Sequence, residues 1–185
     1  MIPRWLPNAI TIARMVAALP LLALLVGGKY PQAFWLALLA GSTDALDGWL
    51  AKRYQCRSVI GGILDPVADK LLLSVCFYGL WWTGHLPGWL SAVVLGRDLV
   101  ILAGAFAWWR MHGSIRPAPT LVSKLTTVSQ LLLVTLMLAQ LAGFESGPAA
   151  IAALVWATAA LTLASGVDYV VRYGSRAWRN RRSRQ

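Results

Sequence analysis

Acidic residues are scarce in this chain, seven in 185, and cysteine and histidine are scarcer still, two of each. Cys56 and Cys76 lack the spacing of a zinc site and are too few for a disulfide framework, so reduced structural thiols are expected. His85 and His112 fall in connecting segments without metal-ligand spacing, and neither is assigned a role. Charged residues make up only 13% of the chain, too few for an ordinary soluble domain. No internal repeat is apparent, and no separate soluble domain.

What the chain has instead is apolar length. It is 58% hydrophobic, with a mean hydropathy of +0.61. A bilayer is crossed by about 20 apolar residues, and six such spans can be read, over about 8–27, 31–52, 60–82, 88–112, 120–141 and 149–173. The breaks carry turn chemistry, as in Gly27-Gly28-Lys29-Tyr30-Pro31, Gly84-His85-Leu86-Pro87-Gly88 and the Gly143 to Pro148 stretch. The expected fold is all-α: a polytopic membrane protein with six transmembrane helices in one bundle over 1–174, followed by a basic cytoplasmic tail, 175–185. Arg4 and the apolar stretch after it imitate a signal peptide. Arg14 interrupts that pattern and no cleavage site is evident, so an uncleaved first span is expected.

The net charge is +10. In a soluble protein this would suggest nucleic acid. Here the basic residues sit between spans and in the tail, which points to anionic lipid and to topology control, and nucleic acid is not expected. Lys52, Arg53, Arg57, Arg110, Arg116, Lys124 and the arginines of the tail gather on one side, and Lys29 stands alone on the other. Both termini are therefore expected in the cytoplasm. The tail is expected to be a flexible anchor on acidic lipid. Most of the ten tryptophans fall near span ends, as interfacial belts require.

Against this apolar background, four of the seven acidic residues lie within 26 positions: Asp44, Asp47, Asp65 and Asp69. Asp44 and Asp47 are three apart and Asp65 and Asp69 four apart, so each pair shares a helix face. The second and third spans are antiparallel neighbours, and their acidic faces can meet just inside the cytoplasmic boundary. Four carboxylates beside hydrocarbon need a cation. Hard divalent metals take oxygen ligands, and two such ions could clamp a diphosphate. Gly48, Ala51, Gly61 and Gly62 remove side-chain bulk beside the acids, which lets a large group approach the backbone. The competing reading makes the aspartates helix caps or partners of Lys52, Arg53, Arg57 and Lys70. That suffices for one aspartate and strains for four.

The pattern D-x2-D-G-x2-A-[basic]-x8-G-x3-D-x3-D, carried by Asp44, Asp47, Gly48, Ala51, Lys52, Gly61, Asp65 and Asp69, resembles the signature of the CDP-alcohol phosphatidyltransferases. Every spacing is met, and six spans is also that family's architecture. The chain departs from the family at Lys52, where arginine is usual, and Arg53 follows directly. The resemblance implies that Asp44, Asp47, Asp65 and Asp69 line a site for two divalent metal ions, Mg2+ or Mn2+. Asp69 would also be the general base on the acceptor hydroxyl. CDP-diacylglycerol would be the donor and CMP the leaving group, with Gly48 and Ala51 beside the nucleotide. It also implies a homodimer in the inner membrane with the active site facing the cytoplasm.

Further polar groups lie inside the spans. Asn8, Thr11 and Arg14 form one stripe on the first helix, and family members carry a similar one. Arg14 needs an anionic partner: either a substrate or lipid phosphate, or an aspartate of the cluster. Arg97 either neutralises Asp98 or reaches a substrate phosphate. Lys124 either contacts a phosphate or snorkels. Asp168 is expected to pair with Arg172.

Leu39 to Gly48, Gly96-Arg97-Asp98, Leu121-Val-Ser-Lys124 and Tyr169 to Gly174 look similar to CMP-forming cardiolipin synthases. That resemblance implies phosphatidylglycerol as the acceptor. Phosphatidylglycerophosphate synthases share the signature and use glycerol 3-phosphate, but usually carry Arg-Glu where this chain has Arg97-Asp98. Outside this class, an ion transporter would also place carboxylates in a membrane, though with interrupted helices and a midplane site. A non-catalytic assembly factor would leave the clustered acids unexplained.

Overall fold

The structure is a computed structural model. It describes the backbone of residues 6–54, 61–112, 120–145 and 147–182, and side chains within 11–43, 67–104, 110, 120–145 and 147–171. Six α-helices and no strand occur among the described residues: α1 (Leu6–Val26), α2 (Tyr30–Tyr54), α3 (Gly61–Trp82), α4 (Gly88–His112), α5 (Leu121–Leu141) and α6 (Pro148–Arg182). Helix starts and ends follow the hydropathy breaks closely, with one departure. α6 runs on through residues 175–182, where a flexible tail was expected. The stretch Ser175 to Arg182 holds no proline or glycine, and four of its eight residues are arginine, a good helix former.

Three of the connections are made by backbone geometry. Gly28 has φ 68°; its N–H donates to Leu25 O (3.1 Å) and Lys29 N–H donates to Leu24 O (2.9 Å). This paired closure is a Schellman cap, and glycine enters the left-handed region without a steric penalty. α3 closes in the same way at Gly84 and α5 at Gly143.

Packing divides the chain into two units, Met1–Pro87 with Val134–Ile151, and Gly88–Leu133 with Ala152–Gln185. In the first, α1 packs on α3 and on α2. Thr11, Arg14, Ala18, Leu21 and Leu25 recur at three- and four-residue steps and form the buried stripe of α1. Ala68, Phe77 and Leu80 of α3 and Ala33 of α2 are buried in the same unit. Tyr30 at the start of α2 meets the His85 ring edge-on at 5.0 Å, and Phe34 meets Phe144 at 5.4 Å. His85, which was assigned no role, thus packs in a connection. Cys76 is a free, buried thiol, as expected.

The second unit buries polar side chains beside apolar ones such as Leu90, Val94 and Leu133, and exposes large apolar side chains. Thr126, Ser129, Gln130, Thr158, Thr162 and Ser165 are buried, whereas Leu121, Leu125, Leu163 and Val167 are exposed. Thr126 shares its hydroxyl between Val122 O (2.8 Å) on its own helix and Leu161 O (3.0 Å) on α6. Ser129 donates to Thr126 O (2.8 Å), Thr162 to Thr158 O (2.6 Å), and Gln130 Nε2 to Thr162 Oγ1 (3.4 Å). The Tyr169 hydroxyl donates to Ile101 O at 3.2 Å. Such a distribution suits helices in lipid, where apolar faces need no burial and polar groups pair with one another. Leu121–Leu141 and the Pro148–Val171 part of α6 are long and apolar enough to cross a membrane.

Candidate functional site

Asp44, Asp47, Gly48, Ala51, Lys52 and Arg53 lie on the C-terminal half of α2, and Gly61, Asp65 and Asp69 on the first third of α3. Both helices are continuous through these positions, so each acidic pair keeps the one-face spacing read from the sequence. Of these residues, only Asp69 has its side chain within the described set. The side chains of Asp44, Asp47, Ala51, Lys52, Arg53 and Asp65 lie outside it. Among the described residues, no three of His, Cys, Asp and Glu come together.

Asp69 shows what α1 contributes. Arg14 Nη1 donates to Asp69 Oδ1 in an ion pair that joins α1 to α3 across 55 positions of sequence. The Arg14 side chain is 2% exposed and that of Asp69 45% exposed. A guanidinium buried in an apolar helix needs an anion, and here the anion is the last aspartate of the signature. Of the two readings open for Arg14, the ion pair with the cluster is the one observed. Asp69 lies one helical turn, about 6 Å along the axis, from Asp65. The Arg14 contact therefore ties the Asp69 turn of α3 to α1.

The donor set is oxygen-only and anionic, the chemistry that Mg2+ and Mn2+ prefer. The Asp69 side chain is 45% exposed. On both counts the residues suit a divalent metal.

Arg97 and Lys124 belong to the second unit. Arg97 is buried on α4, where its Nη1 donates to Asp98 Oδ1 (2.7 Å) and its Nη2 to Ser123 Oγ on α5 (2.9 Å) and to Ser165 Oγ on α6. The self-neutralising reading of Arg97-Asp98 is the one observed. The two serines were not singled out from the sequence, where isolated serines in apolar helices carry no distinguishing signal. Lys124 is exposed in the first turn of α5. Asp168 is half-buried on α6, and its expected partner, the Arg172 side chain, lies outside the described residues.

The CDP-alcohol phosphatidyltransferase family model matches residues 4–164. The chain belongs to this family. The matched region takes in Arg14, the whole eight-position signature, Arg97 and Lys124. A probable phosphatidylglycerophosphate synthase of Mycobacterium tuberculosis is 36% identical over 90% of this chain and 80% of its own length. A CMP-forming cardiolipin synthase of Streptomyces coelicolor is 34% identical, over 90% and 81%. A chloroplastic CDP-diacylglycerol–glycerol-3-phosphate 3-phosphatidyltransferase of rice is 33% identical over 91% of this chain. The chain spans only 56% of the rice protein's length. Relatives of the two acceptor types therefore stand at nearly equal identity.

Proposed function

We propose that this chain is an enzyme of phospholipid biosynthesis. It transfers a phosphatidyl group from CDP-diacylglycerol to the free hydroxyl of phosphatidylglycerol, giving cardiolipin and CMP. The observation that carries the transfer from CDP-diacylglycerol is the eight-position signature, met at every spacing on α2 and α3, with its last aspartate held by Arg14. The choice of phosphatidylglycerol rests on the resemblance of Gly96-Arg97-Asp98 and the flanking stretches to cardiolipin synthases.

In the reaction, the acceptor oxygen forms a bond to the phosphorus that bears diacylglycerol. The bond from that phosphorus to the bridging oxygen breaks, and CMP leaves with this oxygen. Asp69 takes the acceptor proton as general base, a role that requires it within hydrogen-bond reach of that hydroxyl. Arg14 holds the carboxylate in place for it. Asp44, Asp47, Asp65 and Asp69 would hold two divalent ions, Mg2+ or Mn2+. When bound, such ions neutralise the diphosphate and stabilise the departing oxygen. Gly48 and Ala51 leave room for the cytidine nucleotide, with Gly61 equally slim at the start of α3. Lys52 and Arg53 supply positive charge for its phosphates. Arg97 is read as structural, because its guanidinium is already committed to Asp98, Ser123 and Ser165. Lys124, exposed, is the phosphate contact proposed in the second unit.

All six helices are proposed to span the membrane, with both termini cytoplasmic, the active site facing the cytoplasm and the protein in the inner membrane as a homodimer. The apolar exterior and the one-sided lysine and arginine distribution support the topology. Family resemblance supports the dimer.

Phosphatidylglycerophosphate synthesis from glycerol 3-phosphate is the second reading, favoured by relatives of that name at 33–36% identity. An acceptor panel separates the two. Purified protein receives CDP-diacylglycerol with phosphatidylglycerol, glycerol 3-phosphate, serine or inositol phosphate, and the lipid products are resolved. Cardiolipin formed from phosphatidylglycerol alone supports the first reading. Phosphatidylglycerophosphate would replace it with the second, and no CMP release with any acceptor would defeat both.

A further inference from the structure

We propose that Arg14 is the resident counter-ion of the carboxylate cluster: it neutralises Asp69 before metal arrives and competes with metal for that carboxylate. The inference rests on the metal-dependent reading above.

The two ends of the ion pair have opposite surroundings. Arg14 sits in the buried stripe of α1, one turn from buried Thr11, with its side chain 2% exposed. It reaches Asp69 from inside the protein. The Asp69 side chain is 45% exposed, so a second cation can reach it from solvent. A carboxylate shared in this way feels two opposed effects. Arg14 fixes its position, and the permanent positive charge a few ångströms away repels any further cation that arrives.

Charge balance gives the arrangement a purpose. If the four aspartates converge as the proposed metal site requires, they repel one another when empty, and a built-in cation relieves part of that repulsion. Two divalent ions would balance the four carboxylates by themselves. Arg14 then becomes surplus positive charge, which suits the diphosphate of an incoming donor. The same residue would therefore protect the empty site and weaken its hold on metal. Binding of metal and pairing of Arg14 to Asp69 are linked, and a coupling of this kind must appear in both directions.

The test reads metal binding without reading lipid transfer. Full-length protein in detergent is stripped with chelator and melted across a titration of Mn2+ alone, as wild type, Arg14→Gln and Arg14→Lys. A ligand at free concentration L that binds only the folded state stabilises it by RT ln(1 + L/Kd), so the melting temperature begins to climb once L passes Kd. Arg14→Gln should melt lower than wild type without metal, yet begin to climb at about tenfold lower Mn2+. Arg14→Lys, which keeps the charge, should stay near wild type. An onset concentration for Arg14→Gln equal to or above that of wild type overturns the inference alone. A wild type with no Mn2+ response overturns the metal reading and this inference with it. If Arg14→Gln cannot be recovered folded, the double change Arg14→Gln with Asp69→Asn should restore the fold, because it removes both charges together. Failure of that rescue also overturns the inference.

Discussion

Leu25 on α1 lies against the bare backbone of Gly79 on α3. A Cβ at Gly79 would stand 2.7 Å from Leu25 Cδ1 and 3.0 Å from Leu25 Cβ. The Cδ1 atom can swing aside, but Cβ is fixed to its own backbone, so the helices would have to part. Gly79→Ala should cost about 1–3 kcal/mol through overpacking, read as a lower melting temperature in detergent. In a Leu25→Ala background the same change should cost much less. Equal cost in both backgrounds would remove the contact from the explanation.

Arg97 joins α4 to α5 and α6 through one planar group. Arg97→Met removes the bonds to Ser123 and Ser165 and the ion pair with buried Asp98. A loss of about 3 kcal/mol is expected, the scale on which one member of a buried pair is removed. Arg97→Lys should recover only part of it, because an ammonium lacks the fork that reaches three partners. Thermal melting of the three proteins side by side checks this.

Asp69→Asn should lower CMP release from CDP-diacylglycerol by about 10²- to 10⁴-fold, the range assigned to a positioned general base. Chelation should abolish the release in wild type, and added Mg2+ or Mn2+ should restore it. Full turnover in chelator would end the metal-dependent reading, whatever the variant does.

Lys52 stands where the family carries arginine. If it serves the donor phosphates as a point charge, Lys52→Ala should raise the KM for CDP-diacylglycerol far more than Lys52→Arg does. Equal kinetics for the two variants would remove Lys52 from donor binding.

Much of the fold was legible from the sequence. Apolar runs set the helices, and the glycine-bearing breaks at Gly28, Gly84 and Gly143 became the caps of α1, α3 and α5. Both signals are local, since a run or a turn residue acts on its own neighbourhood. The acidic pairs were legible for the same reason, through helical spacing alone. What remained open was which distant group each polar residue would meet. Arg14 had two candidate partners, and only the packing of α1 on α3 selects Asp69. Ser123 and Ser165 gave no signal, because their importance comes from a guanidinium on another helix. Past Gly174 the backbone of α6 continues as helix to Arg182, a local propensity of its arginines that the charge density of the stretch obscures in the sequence.

The seam between α5 and α6 bears on how the protein is assembled. Thr126, Ser129 and Thr162 already donate to main-chain carbonyls of these same two helices, and a tight glycine turn at Gly143 folds one helix back towards the other. Two such helices can leave a translocation channel sideways as a ready-made hairpin, with these three hydroxyls already paired. In cell-free translation with microsomes, residues 120–171 alone should become resistant to alkaline extraction. Exchanging Thr126, Ser129 and Thr162 for valine should then change the stability of the hairpin more than its entry.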